Sequence, residues 1–158
     1  MNFIKIGNKR MKNLIKKWLI KRWLKKYGIE NYTINAKGEI DVDGDVNLTF
    51  GDIKKFPSYI QFGKVNGYFS CCMNKLISLK GVPKKVKGDF YCRHNELVSL
   101  IGAPREVGGD FYCTYNNLTT LEGAPREVGG RFICFENKIQ FTKEYVRKIC
   151  KVESKIYV

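Results

Sequence analysis

Six cysteines, at positions 71, 72, 92, 113, 134 and 150, one histidine, His94, and an aspartate cluster at 41, 43 and 45 are the residues of this chain that could do chemistry. A thiolate nucleophile needs a base beside it, and a zinc site needs a Cys-x-x-Cys or Cys/His grouping. Neither pattern is present. Asp41, Asp43 and Asp45 imitate the start of a calcium loop, but the glycine and bidentate glutamate of that motif are missing, so solvated strand edges are expected instead. "GAPREVGG" looks like a phosphate loop, yet it lacks the Gly-Lys-Ser/Thr ending and occurs in copies. Catalysis, a cofactor, a metal and a small-molecule substrate are all unexpected.

The spacing of the cysteines has another explanation. Residues 88–109, "GDFYCRHNELVSLIGAPREVGG", are nearly copied in 109–130, "GDFYCTYNNLTTLEGAPREVGG". Shifting the chain by 21 aligns Phe69, Phe90, Phe111 and Phe132, then Cys71, Cys92, Cys113 and Cys134, then Asn74, Asn95, Asn116 and Asn137. The unit reads Pro-x-x-Val-x-x-x-Phe-x-Cys-x-x-Asn-x-Leu-x-x-Leu. A weaker copy precedes it at a shift of 23, with Val46, Leu48, Ile53 and Phe56 in the Phe, Cys and two Leu places.

A fixed period of this size is the mark of a solenoid, in which one unit cannot bury its apolar faces alone. Alternation along a strand sends Phe90 and Cys92 inward and Tyr91 and Arg93 outward. The cysteines are then small core residues, with Cys72 the one thiol on the outer face. The asparagines should satisfy turn backbone, and Gly102 and Pro104 should shape the return.

The unit resembles leucine-rich repeats, in particular the short repeats of bacterial secreted effectors, where Pro-x-x-Leu precedes the strand and Asn-x-Leu-x-x-Leu follows. It departs from them by one extra residue between Val107 and Phe111, filled by "GGD". A Lys-rich "WLKKYGIENYTIN" helix, then "IDVDGDVNL", then "GAPREVGGDFYC" repeats, also resembles uncharacterised repeat proteins of large tailed bacteriophages. The first resemblance implies an α+β solenoid with one parallel strand per 21-residue unit. The second implies a host-cell cytoplasmic setting, with a host enzyme or defence complex as the target to be inhibited.

The expected organisation is a basic N-terminal helix and cap over 1–31, a solenoid with a leading hairpin over 32–141, and a C-terminal capping helix and tail over 142–158. In the last, "FTKEYVRKICKV" sets Phe141, Tyr145, Ile149 and Val152 at helical spacing behind a Thr142 N-cap, with Cys150 near the buried side. In the first, Met11, Leu14, Ile15, Trp18 and Leu19 share one helix face, while Ile20, Trp23, Leu24 and Tyr27 lie nearly opposite. Either the helix breaks near residue 20, or one half caps the solenoid and the other meets something else, a second copy included.

Net charge is +14, and ten of those positives fall within residues 1–29, which hold no acid. The excess thus belongs to the helix rather than to the whole surface. No apolar run reaches the roughly 18 residues of a membrane span, and Lys or Arg interrupts every stretch that could serve as a leader. A cytoplasmic protein is expected.

Two surfaces remain for function. Outward strand positions carry Tyr68, Tyr91, Arg93, Tyr112, Arg131, Ile133 and Phe135, with His94 and Tyr115 just beyond. Such residues are enriched in interface cores, so a protein partner is expected there. Lys12, Lys16, Lys17, Lys21, Arg22, Lys25 and Lys26, interleaved with tryptophans, would suit nucleic-acid backbone or an anionic membrane.

Overall fold

The computed structural model describes residues 2–158, with side chains described from residue 11 onward. The chain opens with helix α1 (Asn2–Lys26), followed by strands β1 (Tyr32–Ile34), β2 (Ile40–Val42) and β3 (Val46–Asn47). The repeats supply β4 (Phe62–Val65), β5 (Phe69–Ser70), β6 (Lys85–Val86), β7 (Phe90–Tyr91), β8 (Glu106–Val107), β9 (Phe111–Tyr112), β10 (Glu127–Val128) and β11 (Phe132–Ile133). Helix α2 (Lys143–Ile149) then precedes β12 (Lys151–Val152) and β13 (Ile156–Tyr157).

These strands form a β-solenoid of about six turns. Each coil contributes two short strands, not the single one expected. The valine strands build sheet A, in the order β1-β2-β4-β6-β8-β10-β12, and the phenylalanine strands build sheet B, in the order β13-β11-β9-β7-β5-β3. All neighbours pair in parallel except the hairpin β1/β2. The "GG" between the two strands of a unit is the corner that separates them. A Cβ on Gly130 would stand 2.8 Å from the backbone carbonyl carbon of Gly109. Neighbouring coils therefore pass closely at this position, which is glycine in every repeat (Gly67, Gly88, Gly109 and Gly130), whereas the position before it carries Asn66 and Lys87 in the earlier coils.

The weak N-terminal copy takes the predicted register, with Val46 opposite Phe69. Inside, the phenylalanines form a continuous file: rings of Phe69 and Phe90 stack at 5.7 Å, Phe90 and Phe111 at 5.5 Å, and Phe111 and Phe132 at 5.1 Å. Cys71, Cys92, Cys113 and Cys134 run beside that file as buried free thiols. Burial raises the pKa of Cys71, Cys92 and Cys113 well above the ordinary thiol value, so these thiols stay protonated and serve packing.

The asparagines lock coil to coil as expected. Asn116 donates from Nδ2 to the carbonyl of Cys92 at 3.0 Å in the coil before and to those of Cys113 and Thr114 at 3.3 and 3.2 Å in its own. Its Oδ1 accepts from the Leu97 backbone N–H at 3.2 Å. Asn74 and Asn95 repeat the pattern.

Both ends are more specific than the sequence indicated. Helix α1 is unbroken, and it packs on the solenoid through Ile20, Trp23 and Leu24. At the other end Thr142 caps α2 as expected, its Oγ1 accepting from the Tyr145 N–H at 3.1 Å. The buried helix residue, however, is Val146; Tyr145 and Ile149 are exposed, and Val152 lies in a strand. Residues after α2 add one further coil, β12 on β10 and β13 on β11, against which the helix rests. Cys150 ends the helix, buried, with its pKa pushed up to about 11 by burial and by the nearby Glu127.

Candidate functional site

Two outer faces result from the two sheets. On sheet A the outward column is charged and pairs internally: Lys64, Lys85, Glu106, Glu127 and Lys151 stand in strand register, with ion pairs Lys85–Glu106 and Lys151–Glu127. Sheet B carries the aromatic residues singled out from the sequence, and the structure brings most of them together in two parallel stripes.

The first stripe is Tyr68, Tyr91, Tyr112 and Arg131. Tyr68 meets Tyr91 edge-on at 6.2 Å, Tyr91 stacks on Tyr112 at 4.9 Å, and the Arg131 guanidinium lies 5.9 Å from the Tyr112 ring. Aspartates hold the stripe in place. Tyr91 donates its hydroxyl to Asp89 at 2.6 Å and Tyr112 to Asp110 at 3.2 Å. The other carboxylate oxygens accept from the next coil, Asp89 from the Asp110 N–H at 2.7 Å and Asp110 from the Arg131 N–H at 2.6 Å. Arg131 also clasps Asp110 Oδ2 from Nε at 2.9 Å and Nη2 at 2.6 Å. Burial raises the Asp110 pKa, but the Arg131 bonds outweigh it and leave the carboxyl below its ordinary value. Burial, then the Asp89 hydrogen bond, push the Tyr91 phenol far upward, and Tyr112 shifts the same way. Both phenols therefore remain neutral.

The leading aspartates extend this arrangement. Asp41 Oδ1 accepts from the Lys64 N–H, Asp43 Oδ1 from Asn66 Nδ2, and Asp45 Oδ1 from the Tyr68 N–H. Asp43 and Asp45 are exposed, as expected of solvated edges, and all three also serve as inter-coil acceptors. Among the described residues no group of three or more His, Cys, Asp or Glu is placed to hold a metal ion.

The second stripe is Phe50, Met73, His94 and Tyr115, with Phe135 alongside. His94 and Tyr115 lie parallel at 4.4 Å, and Phe135 meets Tyr115 edge-on at 6.1 Å. Phe50, Met73, Tyr115 and Phe135 are 75, 39, 46 and 41% exposed. Phe50, Met73, His94 and Tyr115 share a backbone state with φ between 52° and 58°, as does Glu136 in the next coil. That left-handed conformation costs a non-glycine residue about 1–2 kcal/mol. Periodicity placed these residues on the surface but gave no sign of the backbone state. The one available signal is that each of the last four stands immediately before a ladder asparagine: Met73-Asn74, His94-Asn95, Tyr115-Asn116 and Glu136-Asn137. The asparagine bonds hold the corner tight enough to impose the strain.

Some outward positions are buried after all. Ile133, expected at the binding surface, is 5% exposed because Tyr112 and Tyr157 flank it in strand register. Cys72, expected to be the accessible thiol, is 4% exposed, and Thr114 is 3% exposed. Short side chains between the two stripes form the floor of a shallow trough; Ser70 and Cys72 line it beneath Tyr68, Tyr91, Met73 and Arg93. Arg93 and Arg131 remain exposed, as expected.

The basic residues of α1 do not form one surface. Lys16 and Lys17 face the β1–β2 turn, whereas Lys21, Arg22, Lys25 and Lys26 lie on the side away from the buried residues. Lys12 is exposed on the first half. No helix among the described residues is long and apolar enough to cross a membrane. No family model matches the chain, and no curated protein or solved structure shows significant similarity to it.

Proposed function

We propose that this chain is a non-enzymatic binding protein that takes a protein partner in the trough on the outer face of sheet B. The carrying observation is the left-handed file Phe50, Met73, His94 and Tyr115. Large apolar and aromatic side chains stand there exposed, at positions where glycine would relieve strain, and no packing need of the core accounts for them. The tyrosine stripe supports the same reading. Its hydroxyls are already paired with Asp89 and Asp110, so its rings are fixed before binding and little side-chain entropy is lost on contact. Trp, Tyr and Arg dominate the energetics of protein interfaces; Tyr68, Tyr91 and Arg93 line the trough, and the stack of Tyr91 on Tyr112 continues the aromatic stripe beyond it. Binding there would act by occluding the partner. A host enzyme or defence complex is the partner class that the likeness to tailed-phage repeat proteins would supply.

Affinity capture from cell lysate, with nuclease and at two salt concentrations, followed by a measured Kd for the partner recovered, tests this. Tyr91→Ala/Tyr112→Ala should weaken that Kd by tenfold or more, about 1.4 kcal/mol. Lys85→Ala/Glu106→Ala on the opposite face should leave it unchanged. Equal effects from the two faces would remove the trough as the site. The notable second surface is α1, whose outer side favours a different kind of contact.

A further inference from the structure

Helix α1 has two apolar sides that serve different ends. Ile20, Trp23 and Leu24 are buried against the solenoid, with the Trp23 ring 6.0 Å from Phe56 and 6.2 Å from Phe62. At 3.6 residues per turn, Met11, Leu14, Ile15 and Trp18 fall within an arc of about 100° on the opposite side. They are 62, 60, 54 and 57% exposed. Further along that same side the apolar stripe gives way to Lys21, Arg22, Lys25 and Lys26, all exposed. The Arg22 guanidinium sits 5.4 Å from the Trp18 ring and joins the two halves. The outer side of the helix therefore runs from apolar to strongly basic with no acid along it.

We propose that this side of α1 lies on an anionic lipid surface, with Met11, Leu14, Ile15 and Trp18 in the interfacial layer and Lys21, Arg22, Lys25 and Lys26 against the headgroups. An exposed apolar stripe including Trp, continued by cations, is what an interfacial helix needs. Charge complementarity decides among the occupants. A nucleic-acid backbone would meet the cations but leave four apolar side chains in water. A second copy would bring two clusters of like charge together. A protein groove is disfavoured because lysine is depleted in interface cores. Ile20, Trp23 and Leu24 hold the helix to the first coils, so lipid binding would fix the solenoid at the membrane with its trough free for a partner.

The test uses the full chain and flotation with phosphatidylcholine vesicles, with and without about one-third phosphatidylserine. Binding should require the anionic lipid, weaken with added salt, and be accompanied by a blue shift of tryptophan emission, since Trp18 is exposed and Trp23 is already buried. Leu14→Ala/Trp18→Ala should lower vesicle partitioning at least tenfold with thermal unfolding unchanged, because neither side chain supports the fold. Lys21→Glu/Lys25→Glu should remove binding at low salt. The proposal is overturned if the alanine pair leaves partitioning unchanged, if duplex DNA is bound while vesicles are not, or if Leu14→Asp abolishes a concentration-dependent dimer in the absence of lipid.

Discussion

Every full coil bends its backbone into the left-handed region twice, and the two bends are filled by opposite kinds of residue. At the bend before the proline stand Gly81, Gly102 and Gly123, with φ of 104°, 97° and 85°. At the bend after sheet B stand Met73, His94, Tyr115 and Glu136, with φ of 52° to 55°. Crowding explains the first set, because a Cβ on Gly123 would lie 2.5 Å from the Ile101 backbone. Nothing comparable demands a side chain at the second, where glycine would be the lower-energy residue. One bend is thus filled by what the fold needs, the other by residues the fold tolerates, and the proposed binding face on sheet B rests on this asymmetry.

The largest effect should come from removing the first solution. Gly123→Ala combines left-handed strain with a backbone clash, together about 3 kcal/mol. Urea unfolding should show a midpoint well below that of the parent protein. A loss under about 1 kcal/mol would mean that the two bends are equally permissive and that the contrast between them says nothing about function.

A smaller effect tests how far the aromatic stripe is held by its own hydrogen bonds. Asp110 is only 16% exposed, and the bonds from Arg131 leave its pKa below the ordinary 3.8. A carboxyl depressed by folding contributes stability that is present above its unfolded pKa and is lost as pH falls through the folded value. Asp110→Asn should therefore be less stable than the parent above about pH 5, and the difference should shrink toward pH 2. Arg131 is 45% exposed, so solvent screening limits the gap to about 1 kcal/mol. A gap that is constant with pH would show that the carboxylate charge contributes nothing to the difference.

The sequence made the solenoid legible because coil stacking forces identical interiors: Phe111, Cys113, Asn116, Leu118 and Val128 recur at the spacing the core imposes. It left the second sheet hidden, since β6, β8 and β10 are two residues each and offer no alternation to read. Alternation also misplaced Cys72 and Ile133. Facing outward does not expose a short side chain when longer neighbours in the adjacent coils close over it. The C-terminal coil was disguised because α2 replaces the usual return, stretching the spacing from Val128 to Val152 to 24 residues. The two sides of α1 were visible as a conflict of stripes, and only the packing of Trp23 decided which side meets the solenoid.

The smallest effect bears most directly on the comparison. Glu136 shares the left-handed bend at φ 53° and is exposed. Replacing it with glycine relieves about 1–2 kcal/mol of strain and restores about 0.5–1 kcal/mol of unfolded-chain entropy against folding. Glu136→Gly should then stabilise the protein by about 0.5 kcal/mol, a rise of 1–2 °C in Tm. Tyr115→Gly gains the same relief but gives up the stack on His94, worth about 0.5–1.5 kcal/mol, so its stability should stay near that of the parent while partner capture falls. If Glu136→Gly instead lowers Tm, the bend is not strained, and large side chains at Met73, His94 and Tyr115 would be compatible with folding alone. If it raises Tm and Tyr115→Gly loses the partner, the protein carries strain at this bend for the sake of the side chains it displays.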